Sequence, residues 1–152
     1  MTSKKRESIY DIIKNNTNHE IICIEVEEIE KINILNSSLK AMNLACSSVI
    51  SKPKTIVLVD GNKLIKDFAC EQQYVIKGDS KSASIAAASV LAKVTRDRYM
   101  EKLHDEFPMY NWAKNAGYLT KEHLDAIDKF GLCKYHRPSF LRKHFAKQLT
   151  LV

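Results

Sequence analysis

The sequence predicts an α/β domain, on three observations. Residues 55–59 and 73–77 are short apolar or β-rich runs with the length of buried strands. They alternate with longer stretches of helical period. The longest of these, residues 82–106, opens rich in Ala and Ser, and small side chains let a helix lie close on a sheet.

Taken in order, residues 5–15 read as a helix with Ile9, Ile12 and Ile13 on one face. Asn15-Asn16-Thr17-Asn18 is a loop. Residues 21–26 are rich in Ile and Val and alternate weakly, which predicts a strand. An acidic turn or short helix follows over residues 27–31. Residues 33–50 carry Leu35, Leu39, Met42 and Cys46 at helical spacing, with Asn33 placed to cap them. Ser51-Lys52-Pro53-Lys54 breaks that helix before the first apolar run. Pro108 marks the end of the long helix over residues 82–106. Residues 120–130 form a helix entered at Thr120-Lys121-Glu122 and stopped by Gly131. The last helix, residues 139–149, sets Leu141, Phe145 and Leu149 four residues apart. Three strands are few for so many helices.

The 152 residues suit a single domain over residues 1–152, with no repeat, low-complexity stretch or linker dividing them. An apolar content of 45%, with four Gly and three Pro, excludes collagen and argues against disorder. No run approaches the ~18 consecutive apolar residues of a membrane span. Met1-Thr2-Ser3-Lys4-Lys5-Arg6 is followed by Glu7 and Asp11 rather than by an apolar core, unlike a secretory signal. Cys23, Cys46, Cys70 and Cys133 form no C-x-x-C pair, which fits a reduced, cytoplasmic chain.

The formal charge of +6 is uneven. Residues 1–76 hold 10 basic and 10 acidic side chains, whereas residues 77–152 hold 14 and 8. Between Lys134 and Lys147 there are also Arg137, Arg142 and Lys143 and no acid. A one-sided basic surface suits nucleic acid; the alternative is a solvated helix face without a partner.

Two acids stand where open α/β sheets build their sites, at strand C-termini. Asp60 ends Ile56-Val57-Leu58-Val59, and Asp79 ends Tyr74-Val75-Ile76-Lys77-Gly78. Paired carboxylates repel unless a cation lies between them, and Mg²⁺ takes hard oxygen ligands while keeping positions for water and phosphate. The alternative is that Asp60 belongs to a turn and Asp79 caps the next helix. Lys93 and Asp97 are i, i+4, the spacing of a surface ion pair. Tyr118 follows Gly117 between Trp112 and His123. An exposed aromatic among basic residues can stack on a sugar or base, but taken alone it reads more readily as a cover for the core. His136-Arg137-Pro138-Ser139-Phe140 is either a phosphate-contact loop or the entry to the last helix.

Five segments together resemble the bacterial ribonuclease HII family. Lys77-Gly78-Asp79-Ser80, running on through residues 83–97, is similar to the family's signature stretch. Val59-Asp60-Gly61-Asn62 is similar to its second carboxylate motif. The others are Ile32-Asn33-Ile34-Leu35-Asn36 with Ala41-Met42, Gly117-Tyr118-Leu119-Thr120-Lys121-Glu122-His123, and His136-Arg137-Pro138-Ser139-Phe140. They occur in the family's order over essentially the whole chain.

The resemblance implies a ribonuclease H-like fold and cleavage of the RNA strand of RNA–DNA hybrids. It also implies incision at single ribonucleotides in duplex DNA. Four carboxylates of the family hold two Mg²⁺ or Mn²⁺ ions, and Asp60 and Asp79 correspond to two of them. Tyr118 corresponds to the tyrosine at the RNA–DNA junction. Lys93 and Arg96 are candidates to contact phosphate or orient the site. The family further implies a monomer.

The sequence departs from the family at three places. Neither the opening Asp-Glu-x-Gly-Arg-Gly strand nor the later Asp-Ser-Lys-Lys segment occurs in it, and Ala116 stands where the family commonly has Lys. The expectation is therefore an N-terminally incomplete sheet with helices packed on it. Three readings follow. One is a ribonuclease HII whose given sequence starts late. Another is a catalytically inactive fragment that only binds duplexes. The third is a product that does not fold stably, because stripped sheet edges invite aggregation.

Overall fold

The computed structural model describes residues 1–52 and 54–149. It holds six α-helices and a two-stranded parallel sheet. Helix α1 (Ser3–Asn16) begins where the Thr2 hydroxyl accepts the Lys5 amide at 3.4 Å. Its apolar stripe of Ile9, Tyr10 and Ile13 packs against Val90, Leu91 and Val94 of α3 (Ala83–Glu106). The Tyr10 hydroxyl lies 3.2 Å from Thr95 Oγ1, and the Arg98 guanidinium stands 4.4 Å over the Tyr10 ring.

Helix α2 (Val26–Val49) is two helical pieces joined at Asn33, whose φ of 66° and ψ of 165° are not helical. The Asn33 side chain accepts the Asn36 amide at 3.1 Å, so it caps the second piece as the sequence predicts. The acidic stretch before it is the first piece. The strand expected over residues 21–26 does not form. Ile21 instead packs against the α1–α3 cluster, and among the described residues no strand pairs with this segment. The visible sheet is thus thinner than the sequence reading by one strand.

Strands β1 (Ile56–Asp60) and β2 (Glu71–Val75) pair in parallel, with Ile56 opposite Glu71 and Asp60 opposite Val75. Both begin or end within two residues of the predicted runs. Val57 and Val59 are buried with Ile65, against Met42, Cys46, Ile50, Phe68 and Cys70. Ile56, Leu58 and Asp60 alternate onto the exposed face. The connection, residues 61–70, contains no helix. It is fastened by Gln72, whose side chain accepts the Ile65 amide and donates to the Ile65 carbonyl, both at 2.8 Å. One amide thereby substitutes for a backbone partner.

A 3₁₀ turn (Gly78–Ser80) leads into α3, which starts where Ser82 caps the Ile85 amide. A second 3₁₀ turn (Pro108–Tyr110) and α4 (Trp112–Asn115) follow. Helix α5 (Lys121–Phe130) is capped by Thr120 and stopped at Gly131, whose φ is 81°. Helix α6 (Pro138–Leu149) buries Leu141 in a core with Met100, Leu103, Tyr110, Trp112 and Ile127. No described helix is long and apolar enough to cross a membrane.

Candidate functional site

The two predicted carboxylates belong to segments that one hydrogen bond joins at one end of the sheet. Asp60 is the last residue of β1, and its Oδ1 accepts the Gly78 amide at 2.8 Å. Asp79 is the next residue along the chain, in the 3₁₀ turn. The hydrogen bond therefore ties one carboxylate to the peptide that carries the other. Gly78 keeps this approach close: a Cβ there would lie 2.5 Å from Ile85 Cδ1 and 3.1 Å from Asp60 Oδ1, so a side chain would require the Ile85 side chain and the carboxylate to shift. Both acids are exposed.

Bonding to Gly78 uses one oxygen of Asp60, while the remaining lone pairs face outward. Two hard oxygen donors fit a Mg²⁺ or Mn²⁺ ion, which typically takes one or two carboxylates and completes its shell with water and phosphate. Among the described residues no group of three or more His, Cys, Asp or Glu side chains is placed to hold a metal. The pair thus fits part of a metal site, and a two-ion set needs further donors. The alternative role of Asp79, as cap of α3, is taken by Ser82.

Tyr118 does not cover the core. It is 65% exposed, at the tip of the turn that follows α4. Ala116 and Gly117 precede it with φ of 48° and 79°, two successive left-handed residues. The turn is closed by Asn115, whose side chain accepts the Gly117 amide at 2.9 Å and whose carbonyl accepts the Tyr118 amide at 2.9 Å. Arg96 reaches across from α3 and donates to the Ala116 carbonyl at 3.1 Å. Lys93 instead pairs with Asp97 at 2.9 Å, and Arg6 of α1 lies 3.5 Å from the same carboxylate. The structure thus joins Arg96 to the Tyr118 turn, and Lys93 is tied to Asp97 in the ion pair its spacing predicts.

Beneath the turn lies a cavity of about 250 Å³ lined mostly by apolar side chains, together with Glu25, Arg96, His123, His136 and Arg137. Arg137 stacks 3.8 Å over the Phe140 ring. Burial, and after it the neighbouring Arg96, lowers the Arg137 guanidinium below its ordinary value. Ser139 opens α6 by donating its amide and hydroxyl to Glu30, at 3.1 and 2.6 Å. The segment 136–140 is thus both a helix entry and a wall of this cavity.

The sequence matches the ribonuclease HII family profile over residues 1–148. The chain belongs to the ribonuclease HII family. It is 51% identical over 142 residues to a ribonuclease HII of Pelagibacter ubique, covering 92% of this chain and 75% of that protein. It is 48% identical over 142 residues to a ribonuclease HII of Rickettsia akari, covering 92% and 71%. A ribonuclease HII of Fusobacterium nucleatum is 48% identical over 147 residues, covering 94% and 68%. By family the chain is a ribonuclease H enzyme.

Several residues of this ribonuclease HII site escape sequence reasoning. Asn115 closes the Tyr118 turn, and His123 and His136 lie buried under it at 2% and 6% exposure. Both histidines sit in recognised segments, but nothing in their spacing indicates that the two rings touch. Their contact depends on how α5 packs against the segment before α6.

Proposed function

We propose that this chain is an endonuclease for the RNA strand of RNA–DNA hybrids, including single ribonucleotides embedded in duplex DNA. It hydrolyses the phosphodiester with two divalent ions, Mg²⁺ or Mn²⁺. One observation carries the reading: Asp60 is held by the Gly78 amide beside Asp79, at a strand end, in a chain of this family. Bound divalent ions supply an activated water and stabilise the leaving oxygen. Asp60 and Asp79 would be two of their ligands; the motif that the family resemblance gives as the source of the other two does not occur in the given sequence.

The other side chains bind and orient. Tyr118 presents an exposed ring to the sugar at the junction, where contact with the 2′-OH separates RNA from DNA. Arg96 holds that turn through the Ala116 carbonyl. The basic second half of the chain meets the phosphates. The fold is read as ribonuclease H-like, and the protein as a cytoplasmic monomer.

The test is Asp60→Asn in a protein that also carries the family's Asp-Glu-x-Gly-Arg-Gly strand, assayed on a duplex containing one ribonucleotide in Mg²⁺ and in Mn²⁺. Asn keeps the Oδ1 acceptor for Gly78 but loses the charge. Cleavage falls at least about 100-fold, as expected when a metal ligand is lost, and Tm stays within about 2 °C. Undiminished cleavage by the variant overturns the metal role of Asp60. Duplex binding without any cleavage by the unaltered chain supports the binding-only reading instead.

A further inference from the structure

The peptide at Tyr118 is held by a buried chain of hydrogen bonds whose direction is fixed by its ends. The Cys133 backbone N–H can only donate, and it donates to His136 Nδ1 at 3.0 Å. His136 Nδ1 is therefore bare, and the ring's proton lies on Nε2. That Nε2–H donates to His123 Nε2 at 3.2 Å. The indole N–H of Trp112, a donor only, points at the same His123 nitrogen at 3.1 Å. Both N–H groups converge on the single lone pair of His123 Nε2, a shared three-centre contact, which leaves the proton of this ring on Nδ1. From there it donates to the Tyr118 carbonyl at 3.0 Å.

Each link excludes the other tautomer, so the two rings are neutral and singly oriented. Burial, then the neighbouring His123, moves His136 down to about 4 against a smaller opposing contribution from the Cys133 backbone, so the ring is neutral near pH 7. What the chain holds is not relaxed backbone. Ala116 is in the left-handed region, where a residue with a Cβ is disfavoured, and Gly117 follows it there. Arg96 and Asn115 fix the first half of the turn, and the carbonyl of the residue whose ring is exposed accepts the Thr120 amide at 2.9 Å and, from its one side-chain partner among the described residues, the His123 Nδ1–H.

We propose that His123, set in its tautomer by His136 and Trp112, is the positioning residue for Tyr118, fixing the backbone from which that ring meets a duplex. This rests on the reading of Tyr118 as a duplex contact. The alternative is that the histidines only fill the aromatic core.

Two substitutions separate these. His123→Gln keeps an acceptor near the Nε2 position, for Trp112 and His136, but has no donor for the Tyr118 carbonyl. His123→Asn keeps a donor near the Nδ1 position and loses the acceptor. Three readouts apply: imidazole ¹⁵N spectra, hydrogen exchange of the Tyr118 amide, and affinity for a duplex with one ribonucleotide. The unaltered protein shows His123 protonated at Nδ1 and His136 at Nε2; the reverse tautomers overturn the proposal. His123→Gln exchanges the Tyr118 amide faster and binds the duplex about tenfold more weakly, the worth of one hydrogen bond to an oriented group. His123→Asn restores both to within about threefold. In a Tyr118→Ala background, His123→Gln has no further effect on affinity. Equal losses in the Gln and Asn variants, or a loss that persists without the Tyr118 ring, overturn the proposal. If Tyr118→Ala leaves affinity unchanged, the duplex-contact reading fails, and amide exchange alone then decides whether His123 holds the turn.

Discussion

His136 is the residue whose environment has the most measurable consequence. It is 6% exposed and packs between Tyr110 at 4.5 Å and Trp112 at 5.2 Å between ring centroids, with His123 and Cys133 on its polar edges. Protonation would place a second donor against Cys133 N–H and a charge against apolar rings, so burial and His123 hold its pKa down to about 4 from 6.5. A lowered histidine pKa means that the folded state binds fewer protons than the unfolded state. Stability is therefore complete above pH 6.5 and falls as pH drops towards 4, by at most about 3 kcal/mol. Urea unfolding across that window measures the fall, and His136→Phe, which has no proton to gain, flattens it. The neutral state matters because the same nitrogens orient His123. At this scale the sequence named Asp60, Asp79, Arg96 and Tyr118 from motifs. It could not name the His123–His136 contact, because two rings thirteen residues apart leave no periodic trace.

Elements with a strong local signal formed where the sequence placed them. Ser82, Thr120 and Asn33 each cap the helix they precede, since a short polar side chain can reach the first free amides without tertiary help. The 3₁₀ turns and α4 were not foreseen, because three or four residues are too few to show a period. The strand read over residues 21–26 failed for a different reason. Its Ile-rich composition reports burial, and the α1–α3 cluster supplies that burial without a ladder. Helix α6 carries a prediction of its own. Arg142 and Lys143 are exposed on it, beyond the buried Leu141. If this face meets phosphates, the double change Arg142→Ala and Lys143→Ala lowers the slope of log affinity against log salt by about 2, with the same loss for every duplex sequence. Fluorescence anisotropy over a salt series reads that slope; an unchanged slope marks α6 as a solvated face.

Among the described residues, the apolar side chains gather into three clusters: one around the sheet, one between α1 and α3, and one of rings and aliphatic groups in the C-terminal half. The sheet is its least covered part. β1 pairs with β2 alone among the described residues, and Ile56 and Leu58 are 56% and 37% exposed beside it. An apolar strand with an open edge favours self-association. Ile56→Lys is expected to reduce association seen by light scattering at high concentration while leaving Tm within about 2 °C, because the side chain packs little. A large fall in Tm would show instead that Ile56 is part of the core. The sequence by itself determined the helices with caps, the two strands, the family and the carboxylates at or soon after those strands, because period, capping and motif are local properties of a chain. Only the tertiary structure decided that Asp60 is anchored by Gly78, that Tyr118 is exposed rather than buried, and that two histidines share one hydrogen bond beneath it. Those are contacts between elements, and their geometry depends on how helices and strands pack rather than on what each contains.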